Sequence, residues 1–133
     1  MFKMKKYANV TSSEAHKFIV TFTGEVANDE NFPLYLDEVT QIYDRKEKVG
    51  IIFDATKAVF PGLKYQKMQA QWLEQNTDKM TNFCVGTAYI IPNVVIRNVL
   101  KAIFTLQKQP VPFVVCKEAK EADLWLDAQL KEV

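Results

Sequence analysis

Apolar positions along the chain follow two alternating rhythms, one of period two and one close to 3.6, which predict strands and helices in turn. Residues 4–10 (MKKYANV) read as a short strand and Thr11 to Glu14 as a polar turn. Residues 16–23 (HKFIVTFT) alternate, with Phe18, Val20 and Phe22 on one face and Ile19 and Thr21 on the other, and Gly24 ends them. So short a link permits only an antiparallel hairpin. Asn28 or Asp29 then caps a helix, with Glu30 and Pro33 suited to its first turn. Its stripe is Phe32, Leu36, Val39 and Tyr43, and the charged run Asp44 to Lys48 closes it.

Residues 50–55 (GIIFDA) form an apolar run ending in an acid, the pattern of a buried parallel strand. Thr56 to Leu63, with Pro61-Gly62, reads as a loop. From Lys64 to about Lys79 the stripe Tyr65, Met68, Trp72 predicts a helix. Residues 83–91 read as another buried strand, Pro92-Asn93 as a turn, and residues 94–108 as a helix. Pro110 and Pro112 frame a turn into a strand at 112–116. A last helix at 118–131 carries Ala122, Trp125, Leu126, Gln129 and Leu130 on one face.

The order β-β-α-β-α-β-α-β-α predicts an α/β fold. Its sheet should be five-stranded, mixed and mostly parallel, flanked by about four helices joined through right-handed crossovers. A chain of 133 residues accommodates this as a single domain spanning 1–133.

Composition narrows the function classes. With 17 Lys+Arg against 16 Asp+Glu, the formal charge of +1 lacks the basic excess of a general nucleic-acid binder. An apolar content of 48% excludes a disordered chain, and four Gly with five Pro exclude a collagen-like one. Lys3, Lys5 and Lys6 precede no long apolar run, so no secretory leader is expected. No stretch reaches the ~18 apolar residues of a membrane span. A cytoplasmic protein with Cys84 and Cys116 as reduced, buried thiols follows. Two Cys and one His cannot form a Cys/His zinc centre of the usual four-ligand kind, and no metal or cofactor is expected.

Charge is unevenly placed. Residues 28–48 carry Asp29, Glu30, Asp37, Glu38, Asp44 and Glu47 against Arg45, Lys46 and Lys48. No acid lies between Asp78 and Glu118, where Lys79, Arg97, Lys101, Lys108 and Lys117 fall. In open α/β sheets ligands bind beyond the carboxyl ends of the strands, which here means the connections after Gly24, Asp54 and Pro92. Asp54 at a strand end can orient a ligand, join a second acid on a metal, or cap local backbone; Thr56 is the nearest hydroxyl. Asn93, Arg97 and Lys101 stand at the start of the helix 94–108, where an anion could meet free N–H groups and two cations on one face. The alternative is a solvated basic face. That helix is apolar on more than one side, so Val95, Val99, Ile103 and Phe104 await a second copy, a hydrophobic ligand or deep burial. His16 reads as a surface residue, and no nucleophile–base motif is present.

The run IIFDATKAVFPG at 51–62 resembles the strand and loop of STAS domains, the fold of anti-sigma-factor antagonists. AYIIPNVVIR at 88–97 and PFVVCKEAKEADLWLDAQL at 112–130 resemble the SpoIIAA-like (STAS-like) family more specifically, through Glu121-Ala122 and Trp125-Leu126. Nearly the whole chain is covered by short motifs. Antagonists carry Asp-Ser-Ser-Gly after this strand, where this chain reads Gly62, Leu63, Lys64 and Tyr65. The phosphorylatable serine is missing, and with it the ~−2 charge that would switch binding at that site. The family is also likened to CRAL-TRIO lipid-binding folds. The resemblance implies a non-catalytic regulatory module docking on a protein partner or on itself as a homodimer. Its alternative is a binder of a small apolar or amphipathic anion near the helix 94–108.

Overall fold

The computed structural model describes residues 4–14 and 16–132. The hairpin strands are β1 (Ala8–Glu14) and β2 (Lys17–Phe22), paired antiparallel from Ala8 opposite Phe22 to Glu14 opposite Lys17. They are followed by α1 (Asn31–Tyr43), β3 (Val49–Asp54), α2 (Leu63–Gln75), α3 (Thr77–Phe83), β4 (Cys84–Ile90), α4 (Val94–Leu106), β5 (Phe113–Cys116) and α5 (Ala119–Lys131). The sheet order is β1-β2-β3-β4-β5, and every pair after the first is parallel. The fold is therefore α/β with a five-stranded mixed, mostly parallel sheet.

Each parallel connection moves one strand along in the same direction. Crossovers of a single hand then deposit their helices on one face, and α1 to α4 enclose the larger core against Phe18, Val20, Val49, Ile51, Phe53 and Tyr89. The chain returns through α5, which covers the other face with Ala122 and Leu126 over Ile52, Ala88, Ile90 and Cys116. Two glycines let α5 lie close. A Cβ on Gly50 would stand 2.5 Å from Leu126 Cδ1, and one on Gly86 2.8 Å from the Trp125 ring.

Several boundaries differ from the sequence reading, and β1 opens at Ala8 rather than at residue 4. The first strand runs to Glu14 rather than ending before Thr11, because pairing with β2 continues through Thr11 and Ser12. As an edge strand it tolerates their exposed hydroxyls. His16, just before β2, has a φ of 70°. The helix expected over 64–79 breaks at Asn76, whose Nδ2 donates to the Trp72 carbonyl at 2.9 Å alongside its own backbone N–H. That side chain competes with the helical ladder, and the chain restarts as α3, giving five helices among the described residues. The helix expected to reach 108 stops at Leu106, where Gln107 is already extended.

Candidate functional site

At the carboxyl edge of the parallel strands the connections are held by local hydrogen bonds. Asn31 is 1% exposed; its Oδ1 accepts from Asn28 N–H at 2.8 Å and its Nδ2 donates to the carbonyls of Val26 (2.9 Å) and Lys5 (3.3 Å). Asn28 Oδ1 in turn accepts from the N–H groups of Glu30 and Asn31, a turn just ahead of α1; the residue at the cap is Glu30, whose side chain makes no capping bond, rather than the expected Asn28 or Asp29. A Cβ on Gly24, at φ 92°, would lie 3.3 Å from the Lys57 carbonyl, so the β2–α1 and β3–α2 connections touch. Asp29 Oδ1 accepts from Lys64 Nζ at 2.6 Å and from the Tyr65 hydroxyl at 2.8 Å, joining the same two segments a second time.

Beneath this edge, between the sheet and α1, α2 and α4, lies a cavity of about 90 Å³. Alternation on the strands puts Phe22, Phe53 and Tyr89 on its floor. Phe53 and Tyr89 stack at 5.0 Å and 11°. Phe22 continues the row toward Tyr7 and Tyr35, and Phe104 closes it at the other end, 5.9 Å from Tyr89. Tyr65, Trp72 and Leu73 from α2 and Ile96, Val99, Leu100 and Ile103 from α4 form the walls. Ala55, Ala58, Val59 and Pro61 form the entrance, where Ala58 and Val59 are half-exposed.

No charged side chain lines the chamber among the described residues, and its polar atoms are largely engaged. The Tyr35 hydroxyl donates to Gln69 Oε1 at 2.9 Å, Trp72 Nε1 donates to Thr40 Oγ1 at 2.8 Å, and the Tyr89 oxygen accepts from Gln109 Nε2 at 2.8 Å. Burial pushes Tyr7 up to about 12 and raises Tyr35 and Tyr89 still further from neutrality. These hydroxyls stay protonated at physiological pH. The chamber can hold an apolar group and hydrogen-bond a neutral one, but it has no group poised for proton transfer near pH 7. Its volume is about three-fifths of the ~150 Å³ apolar cavity known to admit benzene, and it opens at one end. It suits one ring or a short chain more than a whole lipid.

The expected ligand residues surround this chamber without lining it. Asp54 accepts from Thr56 N–H at 3.0 Å and from its hydroxyl at 2.6 Å, the local-backbone reading of that acid. Asn93 caps α4 by accepting from Val95 N–H at 2.7 Å and Ile96 N–H at 3.3 Å, which leaves fewer free donors for an anion. Arg97 is half-exposed with a buried Nε that lacks a partner, and Lys101 is exposed. Seven residues separate Arg97 from Phe104, so the two share the side of α4 that meets Phe113 of β5, away from the entrance. The placement of the helix residues is corrected for Val99, Ile103 and Phe104. Val99 and Ile103 are buried and Phe104 is half-buried, all three on the chamber wall, because the face bearing Ile96, Val99 and Ile103 turns inward over the chamber beside α2. Val95 is 50% exposed.

His16 lies at the opposite end, its Nδ1 2.9 Å from the Lys48 carbonyl. Cys84 and Cys116 are free and buried, and burial raises the Cys84 thiol to about 11, so it is a poor nucleophile. Among the described residues no three His, Cys, Asp or Glu side chains gather as a metal site, and no helix is long and apolar enough to cross a membrane. The sequence reading did not single out Tyr7, Tyr35 or Tyr89. The available signal was an aromatic content of 12% concentrated on the inward positions of strands and helices. Comparison with protein-family models finds no match, and comparison with curated proteins finds none either.

Proposed function

We propose that the protein is a non-catalytic, STAS-like binding module that takes the apolar part of a small or amphipathic molecule into the chamber over β2, β3 and β4. The observation that carries this reading is the chamber itself: an open, uncharged, aromatic-lined cavity at the sheet edge where α/β ligands bind. The single sheet with one antiparallel edge strand supports the STAS-like resemblance. A cytoplasmic location is supported by the two unpaired cysteines. The alternative, a protein-interaction module or homodimer using α4, keeps only Val95 of its four chosen residues on the surface, 50% exposed.

The test uses 4-butylbenzoate, one ring with a short chain and a carboxylate, titrated against the purified protein. Trp72 fluorescence reports occupancy, because that indole lines the chamber. Ala58→Phe fills the half-exposed entrance without touching the buried core. Saturable binding that weakens about tenfold or more in Ala58→Phe, a loss of roughly 1.4 kcal/mol, is expected. Equal affinity in the two proteins would overturn the reading. Native mass spectrometry of the freshly purified protein identifies any small molecule it carries.

A further inference from the structure

The two edge strands of the sheet, β1 and β5, differ in kind. β1 ends in Thr11, Ser12, Ser13 and Glu14, all exposed, and its pairing register shifts between Ser12 and Glu14. Polar side chains and an irregular register discourage an edge from taking on another strand. β5 (FVVC) carries no charge and no hydroxyl. Phe113 (45% exposed) and Val115 (38%) stand in solvent on one face of it. Phe104 of α4, 5.1 Å from Phe113, extends that apolar surface.

The backbone of β5 is regular along the same edge. The carbonyls of Pro112 and Cys116 accept from the N–H groups of Thr87 and Ile91, at 3.0 and 2.8 Å. Bonding groups alternate from side to side along a strand, so Pro112, Val114 and Cys116 address β4. The N–H and C=O groups of Phe113 and Val115 therefore point away from the sheet. Pro112, lacking an N–H, lies on the β4 side of this alternation and leaves the outer row of donors intact.

We infer that β5 pairs antiparallel with β5 of a second copy, about a two-fold axis at Val114, joining the two sheets into one. In that register Phe113 faces Val115 of the second copy, and each such pair exchanges both of its backbone hydrogen bonds. The outer row of one strand is thus satisfied by the same row of the other, the self-complementarity that a two-fold contact requires. The two exposed side chains of β5 cover each other as an aromatic and a β-branched cross-strand pair. An uncharged strand sets no like charges against itself, and it offers nothing to select a charged peptide. The inference does not depend on what the chamber binds.

The experiment is sedimentation equilibrium of the full chain at concentrations up to about 1 mM. The mass should rise from one 15.3 kDa chain toward two and stop there. Val115→Pro removes an outward N–H that the single chain does not use. It should weaken association about tenfold or more, through two donors lost per pair, with circular dichroism unchanged. Val115→Lys, which keeps the backbone, should weaken it as well. Val95→Lys on α4 should assemble as wild type. Val114→Cys places facing Cα atoms about 4.5 Å apart at the axis and should form a disulfide-linked pair on mild oxidation; Leu124→Cys, exposed on α5, should not. A single-chain mass at every concentration would overturn the pairing. So would a mass that grows beyond two chains, or a Val114→Cys protein that dimerises without cross-linking. A dimer that Val95→Lys breaks and Val115→Pro spares would overturn it too, by placing the contact on α4.

Discussion

The carboxylate of Asp29 accepts a hydrogen bond from the Tyr65 hydroxyl at 2.8 Å, tying the segment that leaves β2 to the first turn of α2. Lys64 reinforces it at 2.6 Å. Tyr65 also lines the chamber, and its ring lies 5.2 Å from that of Phe32, so the latch bears on the chamber wall. Both charged partners are solvated, and such pairs add little to stability. Their effect should be kinetic. Asp29→Ala is expected to raise the association and dissociation rates of 4-butylbenzoate together, several-fold, with melting temperature and affinity nearly unchanged. Stopped-flow Trp72 fluorescence checks this, and unchanged rates would remove the latch. Hydrogen bonds from Lys64 and Tyr65 hold the Asp29 carboxyl below the usual carboxylate range. A depressed folded value leaves the contact intact above the ordinary value of about 3.9 and lost as pH falls through the lowered one. The entry rate should therefore be insensitive to this group between about pH 5 and 8.

Gly50 and Gly86 set how closely α5 approaches the sheet. At Gly50 the obstacle to a Cβ is the Leu126 side chain, which can turn; at Gly86 it is the rigid Trp125 ring at 2.8 Å and the Pro112 carbonyl at 3.2 Å. Gly86→Ala should thus cost more than Gly50→Ala, within the ~1–3 kcal/mol typical of overpacking. Adding Leu126→Ala to Gly50→Ala should cost less than the sum of the single changes, because the removed methyls make room for the new one. Urea denaturation reads all four proteins. Binding in the chamber, on the opposite face, should be unaffected.

How far these features were legible from sequence depends on where their causes lie. The stripe Phe32, Leu36, Val39, Tyr43 is wholly buried, as its spacing requires, and the Asp54–Thr56 turn follows from two neighbouring residues. The break at Asn76 was not legible, because it depends on which carbonyl the amide reaches once α2 has formed. The length of β1 was set by its partner strand. The chamber draws residues from three strands and four helices far apart in the chain, and each taken alone reads as ordinary core. On α4 the apolar residues cover more than one side, so nothing local chose Ile96 and Val99 to face inward while Val94 and Val95 face out.

Lys17 belongs to the same group, since a strand-opening lysine gives no hint of burial. Its side chain is 4% exposed, with Nζ 2.7 Å from Asp127 and 3.3 Å from Asp123 of α5. Both acids remain half-exposed, so they can rehydrate when the ammonium is removed. Lys17→Met should cost only about 1 kcal/mol, and Lys17→Ala about 2–3 kcal/mol, because it also removes the packed stem. Burial lowers the Lys17 value, but hydrogen bonds and attraction from Asp127 and Asp123 outweigh it, and the net shift is upward. A raised folded value gives a contribution fully present below the ordinary value of about 10.4 and lost as pH rises through the raised one. The wild-type advantage over Lys17→Met in urea should be constant from neutral pH to about pH 10 and shrink above it. An advantage that shrank between pH 6 and 9 would remove the ion-pair account.

The buried tyrosines make the fold sensitive to alkali. Burial raises Tyr7 to about 12 and lifts Tyr35, Tyr43 and Tyr89 well above the ordinary value near 10. An unfolded chain ionises these phenols from about pH 10, while the folded one keeps them neutral. Their contribution is therefore complete below pH 10 and falls as pH rises toward the folded values. Two signals should move together in an alkaline titration: the tyrosinate absorbance near 295 nm and the far-ultraviolet circular dichroism. Tyr65, half-exposed and bonded to Asp29, is the exception and should ionise before unfolding, though displaced upward by that bond. Tyr89→Phe deletes one buried phenol and removes the closer of the two acceptors of the Gln109 amide, leaving it Thr87 Oγ1 at 3.3 Å. That variant should lose about 1–2 kcal/mol at neutral pH and unfold with a shallower dependence on alkali. Four tyrosines titrating near pH 10 with the dichroism unchanged would show that the chamber floor is open to water, and the dry, apolar chamber would fall with it.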